Sequence, residues 1–261
     1  MAVTRIIALA TILAISHVCG TIAAPQGRIL EGENAAAGEF PWVASVRVDN
    51  AHVAVGSIIS KYHILTSAQG VSELGSTPIS SSRVSVRVGS INQFAGGRIV
   101  SAGNILIHPS FGNFLHNIAI ITLEVPLSFT DRIASIAWDK SELSETLADG
   151  INVILAGWGL QLSGASPYRL QKTTLSVLSS HECEYKAGYG YESALCLNHG
   201  VNQGIGRGDE GAGVVFNHTL VGVASFFFGA GGTEFPDVSC RTAYYSDWIV
   251  SNVDPALAYL K

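Results

Sequence analysis

The chain has 261 residues, 48% of them apolar, which is ample for a packed core, and an all-β chain of this length can form one domain. Charged residues make up 13% and the formal net charge is −5, with no basic run to neutralise phosphates, which excludes nucleic-acid binding driven by charge. Eight prolines and no low-complexity tract exclude long disordered stretches.

From the start, Arg5 gives a charged opening, Ile6–Ile15 forms a short apolar run, and Val18-Cys19-Gly20 places small residues near a cleavage point. This is the pattern of a signal peptide over residues 1–20, with cleavage as late as Ala24 equally compatible, and it predicts a secreted, extracellular protein. The apolar run is too short to span a bilayer, and no other segment is long enough, so no membrane span is expected. No linker interrupts residues 29–261, which predicts a single domain there.

Short runs rich in Val and Ile follow, separated by Gly, Asn, Ser and Pro turns. They predict strands over Trp42–Val48, Gly56–Ile59, Val84–Val88, Ile99–Ile107, Ile118–Leu123, Asn152–Ala156, Lys172–Leu178, Gly213–Phe216 and Leu220–Phe228. No βαβ alternation interrupts them, so the pattern is that of an antiparallel sandwich or barrel system. In Ala243–Val253, Tyr245, Trp248 and Ile249 recur at helical spacing and predict a short closing helix.

Of the four cysteines, Cys19 leaves with the signal peptide, and Cys183, Cys196 and Cys240 remain: one pair and one left over. The eight histidines are scattered, with no H-x-x-x-H and no Cys/His pair at ligand spacing, so neither metal nor cofactor is expected. Asn217-His218-Thr219 is a glycosylation sequon between two strand runs, which places it on an exposed hairpin turn.

A series of landmarks runs in order along the mature chain: Arg28-Ile29-Leu30-Glu31-Gly32, Phe40-Pro41-Trp42-Val43, Gly56-Ser57-Ile58-Ile59-Ser60, Leu65-Thr66-Ser67-Ala68, His108-Pro109, Asn117–Ile121, Gly157-Trp158-Gly159, Gly208-Asp209-Glu210-Gly211, Val221–Ser225 and Asp247-Trp248-Ile249. Together they resemble chymotrypsin-like (trypsin family) serine proteases. The resemblance implies an all-β fold of two six-stranded antiparallel β-barrels with a short C-terminal helix, the active site lying between the barrels.

The same resemblance points to three substitutions. Gln69 stands where the family carries its general-base histidine, Asn117 where it carries the orienting aspartate, and Glu210 where it carries the nucleophilic serine. A serine hydroxyl attacks only when a neighbouring base takes its proton, and histidine serves because its pKa lies near working pH. A Gln69 amide takes no proton near neutrality. Gly208 and Glu210 carry the amides of the oxyanion-hole-like loop, and the Glu210 carboxylate can itself accept those amide hydrogen bonds. The sequence therefore predicts a protein that is not an enzyme: a catalytically inactive serine protease homologue.

The remaining landmarks carry further expectations from the resemblance. The specificity-pocket floor falls at Gly204, and Ser225, Phe226, Phe227 and, after Pro236, Asp237 lie along its walls, which predicts a pocket filled by bulky side chains. The resemblance makes residues 21–28 a short pro-segment, and cleavage after Arg28 would free the Ile29 amine to pair with Asp209, the alternative being that Asp209 hydrogen-bonds to local backbone. Cys183 and Cys196 match a family disulfide. Two other family bridges are lost at both ends, at Ala54 with Gly70 and at Gly206 with the region of Ala230. Cys240 has no counterpart and is expected either as a buried free thiol or in an intermolecular bridge to a disulfide-linked partner. The function so implied is protein binding, as regulator, cofactor or decoy toward an extracellular protease, inhibitor or receptor in an immune or reproductive network. The alternatives are a residual or repurposed hydrolase and a small-ligand carrier using the inter-barrel cleft.

Overall fold

A computed structural model describes residues 32–73, 75–140 and 147–253. The expected signal peptide and pro-segment and the Arg28–Ile29 pair lie outside the described residues.

In the first barrel alternation is complete in one strand, Val-Ser-Val-Arg-Val. In β5 (Val84–Val88) every second residue is buried, so the strand turns one face to the interior and the other to a wet rim. It pairs with β2 (Val43–Val48) and β6 (Arg98–Ile107), and β3 (Ala51–Ile58), β4 (His63–Thr66) and β7 (Ala119–Leu123) complete a closed antiparallel ring in the order β2-β3-β4-β7-β6-β5. Closure leaves no edge open to unwanted pairing. The interior is filled by aliphatic side chains such as Val46, Ile58, Ile64, Val86, Val88 and Ile121.

The second barrel joins β9 (Asn152–Gly157), β10 (Gln171–Val177), β11 (Ala194–Asn198), β14 (Asp237–Arg241), β13 (Thr219–Phe226) and β12 (Gly213–Phe216), with β12 pairing back to β9. Its core centres on Trp158, Leu155, Leu195, Val214 and Val221. Two short strands are added outside the ring: β1 (Glu33–Asn34) on β10, and β8 (Ala137–Trp138) in parallel on β13.

A third apolar cluster joins the two barrels. Leu65, Ile118 and Ile120 from the first meet Val215, Leu220 and Val223 from the second, and Tyr245 and Ile249 close over them. Ile249 belongs to the C-terminal helix α2 (Ser246–Asn252), somewhat shorter than the sequence pattern suggests.

The fold is that of two six-stranded antiparallel barrels, as the landmarks implied. Sequence reading missed β4, β11 and β14, whose four or five residues are buried almost throughout and show no alternation. It also missed helix α1 (Ser180–Ala187). Here the Ser179 hydroxyl caps the first turn by accepting the Glu182 amide at 3.1 Å, and Gly188 ends the helix at φ +72°.

Candidate functional site

Glu210 sits on the tight loop between Ile205 and β12. Gly208 holds φ +100°, a conformation that side-chain-bearing residues resist, and this turns its amide toward Glu210. The Gly208 N–H donates to Glu210 Oε2 at 2.6 Å. Burial raises the Glu210 carboxyl above its usual range, while its own amide, the Gly208 amide and Arg207 pull the other way. The loop is fixed to both barrels: the Val55 amide donates to the Glu210 carbonyl at 2.9 Å, and the Gly211 amide donates to the Ala224 carbonyl at 2.7 Å.

Asn117 enters β7 fully buried and bridges the barrels. Its Oδ1 accepts the Gln69 backbone amide at 2.8 Å, while its Nδ2 donates to the Ser225 hydroxyl at 3.0 Å and the Ser225 carbonyl at 3.2 Å. Gln69 is exposed at the start of a short 3₁₀ turn, Gln69–Val71. Gln69, Gly70, Ser72, Ile79, Arg207 and Glu210 line one cavity of about 290 Å³ on the groove. The structure thus brings Gln69 and Glu210 to one cavity and ties Asn117 to Gln69. Arg207, which the sequence reading did not single out, places a cation beside them.

A serine–histidine couple escaped the sequence reading as well. His52 Nε2 donates to the Gly208 carbonyl at 3.0 Å, so Nδ1 accepts from the Ser45 hydroxyl at 2.8 Å. Burial pushes the His52 imidazole down to about 4, against the opposing pull of the Gly208 carbonyl, and it is neutral at pH 7. Ser45 is fully buried on β2, so this couple braces the 208–211 loop from inside. The two residues lie diagonally across the β2–β3 pair, where Ser45 is opposite Val55 and His52 opposite Arg47, a proximity that only the strand register reveals.

Asp209 points inward, away from the groove. Its Oδ1 accepts the Gly159 amide at 2.7 Å and its Oδ2 the Gly206 amide at 3.0 Å. Burial drives its carboxyl up to about 7, although those two amides oppose the shift. Among the described residues no cation pairs with it.

At the pocket floor, a Cβ on Gly204 would lie 2.5 Å from Asp237 Oδ2, so the Asp237 carboxylate rests against that backbone. Oδ2 accepts the Ile205 amide at 2.7 Å, and Oδ1 lies 3.4 Å from His199 Nε2, an ion-pair distance without hydrogen-bond geometry. Burial raises the Asp237 carboxyl, against the pull of His199 and the Ile205 amide. Burial alone would lower the His199 imidazole, but the Asp237 carboxylate leaves it raised overall. Ser225 is buried with its hydroxyl on Asn117, and Phe227 packs on the second-barrel core. His199, the partner of Asp237, was not legible in the sequence.

Cys183 of α1 is bonded to Cys196 of β11, with their Cα atoms 5.7 Å apart. Cys240 is free and buried on β14, the first of the two states expected for it, and its enclosure in the core disfavours the intermolecular bridge. A Cβ on Gly70 would fall 2.5 Å from the Ala54 Cβ, so the two ends of that missing bridge still face each other. Asn217 is exposed at the β12–β13 turn. Among the described residues no group of three or more His, Cys, Asp or Glu is arranged to hold a metal ion, and no helix is long and apolar enough to cross a membrane.

Comparison with known proteins places this arrangement. The family model described as Trypsin matches residues 29–249. The chain is 30% identical to trypsin beta of Drosophila erecta over 87% of its own length and 89% of the relative, and 30% identical to trypsin alpha of Drosophila melanogaster over 88% and 89%. It is 29% identical to serine protease SP24D of Anopheles gambiae over 85% of its own length and 80% of the relative. Among solved structures it resembles neuropsin, a serine protease expressed in the limbic system of mouse brain, with TM-score 0.76 and 21% identity over 86% of this chain and 99% of that one, a likeness of fold. These comparisons overturn the expectation that the chain is not an enzyme: the matched family is that of trypsins, and these relatives carry the names of trypsins and serine proteases.

Proposed function

Because the chain belongs to the trypsin family of serine proteases, we propose that it is a secreted protein whose inter-barrel groove grips another extracellular protein, a protease, inhibitor or receptor, and acts on it as regulator, cofactor or decoy. One observation carries this reading. Gln69, Arg207 and Glu210 form a polar surface around a cavity, on a frame fixed to both barrels by Asn117 and by the Val55 and Gly211 amides. A rigid, charged concave surface recognises a protein segment at small ordering cost.

Maturation is part of the same proposal. Cleavage between Arg28 and Ile29 frees an ammonium, and the buried Asp209 carboxyl, held up to about 7, is the group it would ionise. Removal of residues 1–20, or 1–24, precedes it.

The test places a photo-cross-linker at Gln69 and, as a control, at His218 on the far hairpin. The secreted chain is then exposed to its native extracellular fluid, and the captured protein is purified for binding. A partner cross-linked from Gln69 but not from His218, with Kd weakened at least tenfold by Arg207→Glu, is expected. Equal capture from both positions, or binding indifferent to Arg207→Glu, would overturn the reading.

Peptide-bond hydrolysis is a second reading, favoured by the names of the relatives. It predicts release of amine from peptide amides by the chain cut after Arg28, and loss of that turnover in Glu210→Ala.

A further inference from the structure

We propose that Asn217 carries an N-linked glycan whose first sugar lies on the ring of Phe216. The sequon Asn217-His218-Thr219 forms the loop between β12 and β13. Asn217 and His218 have φ of +46° and +59°, which makes this a two-residue type I′ turn, and both are exposed. Phe216 and Thr219 are the closing pair of the hairpin, directly opposite in register. Residues opposite each other point to the same face, with Cβ atoms about 4.5–5.5 Å apart. The turn therefore presents an aromatic ring and the sequon hydroxyl side by side, with the acceptor amide at the adjoining turn position.

Each part has a role. Phe216 packs with one part on the second-barrel core and leaves the rest of its ring exposed. The hairpin thus keeps a rigid apolar platform beside the acceptor. A pyranose carries C–H groups on one face, and aromatic rings bind such faces through dispersion and weak C–H contacts. The Thr219 hydroxyl donates to the Asn217 carbonyl at 3.5 Å, which keeps the sequon hydroxyl on the turn.

The modification balances as a glycosyl transfer. The donor is an oligosaccharide linked to a lipid pyrophosphate. The bond between its anomeric carbon and the pyrophosphate oxygen breaks, and a bond from that carbon to Asn217 Nδ2 forms. The amide proton passes to a carboxylate of the transferase, and the lipid pyrophosphate leaves.

The glycan would stand clear of the groove. β13 runs from Thr219 at the turn to Ser225 beside Asn117, and six residues of strand span about 20 Å. The inference rests on the secretory part of the proposed function, since the transferase works in the secretory pathway.

The test expresses the full chain in insect cells, once with its own first 24 residues and once with those replaced by a host leader. Intact mass is read before and after amidase removal of N-glycans, with Asn217→Gln and Thr219→Ala as controls. One glycan, lost on amidase treatment and missing from both variants, is expected. A leader-driven chain that carries it supports the site even if the native start fails to secrete. A secreted chain without it overturns the site. The platform is tested on the wild-type glycoprotein by trimming to a single sugar with an endoglycosidase or stripping fully with the amidase. The trimmed form should keep its Tm and the stripped form should lose about 2–4 °C. In Phe216→Leu that difference should vanish. Equal Tm values for the two wild-type forms would overturn the role of the ring.

Discussion

Asn117 and Ser225 hold the two barrels together at the floor of the groove: the Asn117 amide donates to both the hydroxyl and the carbonyl of Ser225, at 3.0 and 3.2 Å. The same side chain accepts the Gln69 amide, so donor and acceptor are both used. Asn117→Ala should cost about 1–3 kcal/mol by leaving buried polar groups unpaired. For a chain of this length that lowers Tm by about 2–4 °C per kcal/mol. Differential scanning calorimetry checks it, and an unchanged Tm would mean that the Ser225 carbonyl finds another donor.

Two buried groups should give the stability opposite pH slopes. The Asp209 carboxyl is raised from 3.8 to about 7 in the folded chain, so its contribution is full below its ordinary value and is lost as pH rises through about 7. Relative to wild type uncut after Arg28, Asp209→Asn should therefore gain stability from pH 4 to pH 7, on the order of 2–4 kcal/mol. The His52 imidazole is lowered from 6.5 to about 4, so its contribution is present above 6.5 and lost as pH falls through about 4. His52→Gln should remove that acid-side loss. Urea titrations at several pH values separate the two.

His199 and Asp237 form a buried pair, with both side chains 1% exposed. Removing one partner leaves the other uncompensated, which costs about 3–5 kcal/mol. His199→Gln should therefore destabilise strongly, and the double variant with Asp237→Asn should recover part of the loss. Both groups are raised in the folded chain, so the pair's contribution is lost as pH rises, for His199 above 6.5. Additive effects in the double-mutant cycle would show that the 3.4 Å approach carries no coupling.

The cysteines should divide by reactivity. Burial pushes the Cys240 thiol up to about 12, so it should resist alkylation in the native protein and react only as the chain unfolds. The Cys183–Cys196 bridge closes a loop of separation 13, and its removal in Cys183→Ser with Cys196→Ser should cost about 3 kcal/mol. Mass spectrometry of alkylated native and denatured samples tests the first, and thermal unfolding of the double variant the second.

Legibility followed the physics of each element. Strands such as β5 and β12 were readable because alternation or β-branched density survives in a short window. β4, β11 and β14, buried on both faces, leave no period to detect. Helix α1 was readable in principle from Ser179, Glu182 and Gly188, but its apolar face is too slight to draw attention. At the site, Gln69, Asn117 and Glu210 were found by motif order. Ser45–His52 and His199–Asp237 were not, because each pair is made by strand register or by loops far apart in sequence.

The apolar cluster shared by the barrels implies that neither half is a finished object. Leu65 and Ile120 on one side need Leu220 and Val223 on the other to escape water, so a chain severed between Trp138 and Asn152 would yield two fragments with mutually matching sticky faces. Such fragments would recombine from solution, and their rejoining could report, in living cells, whether two attached proteins have met.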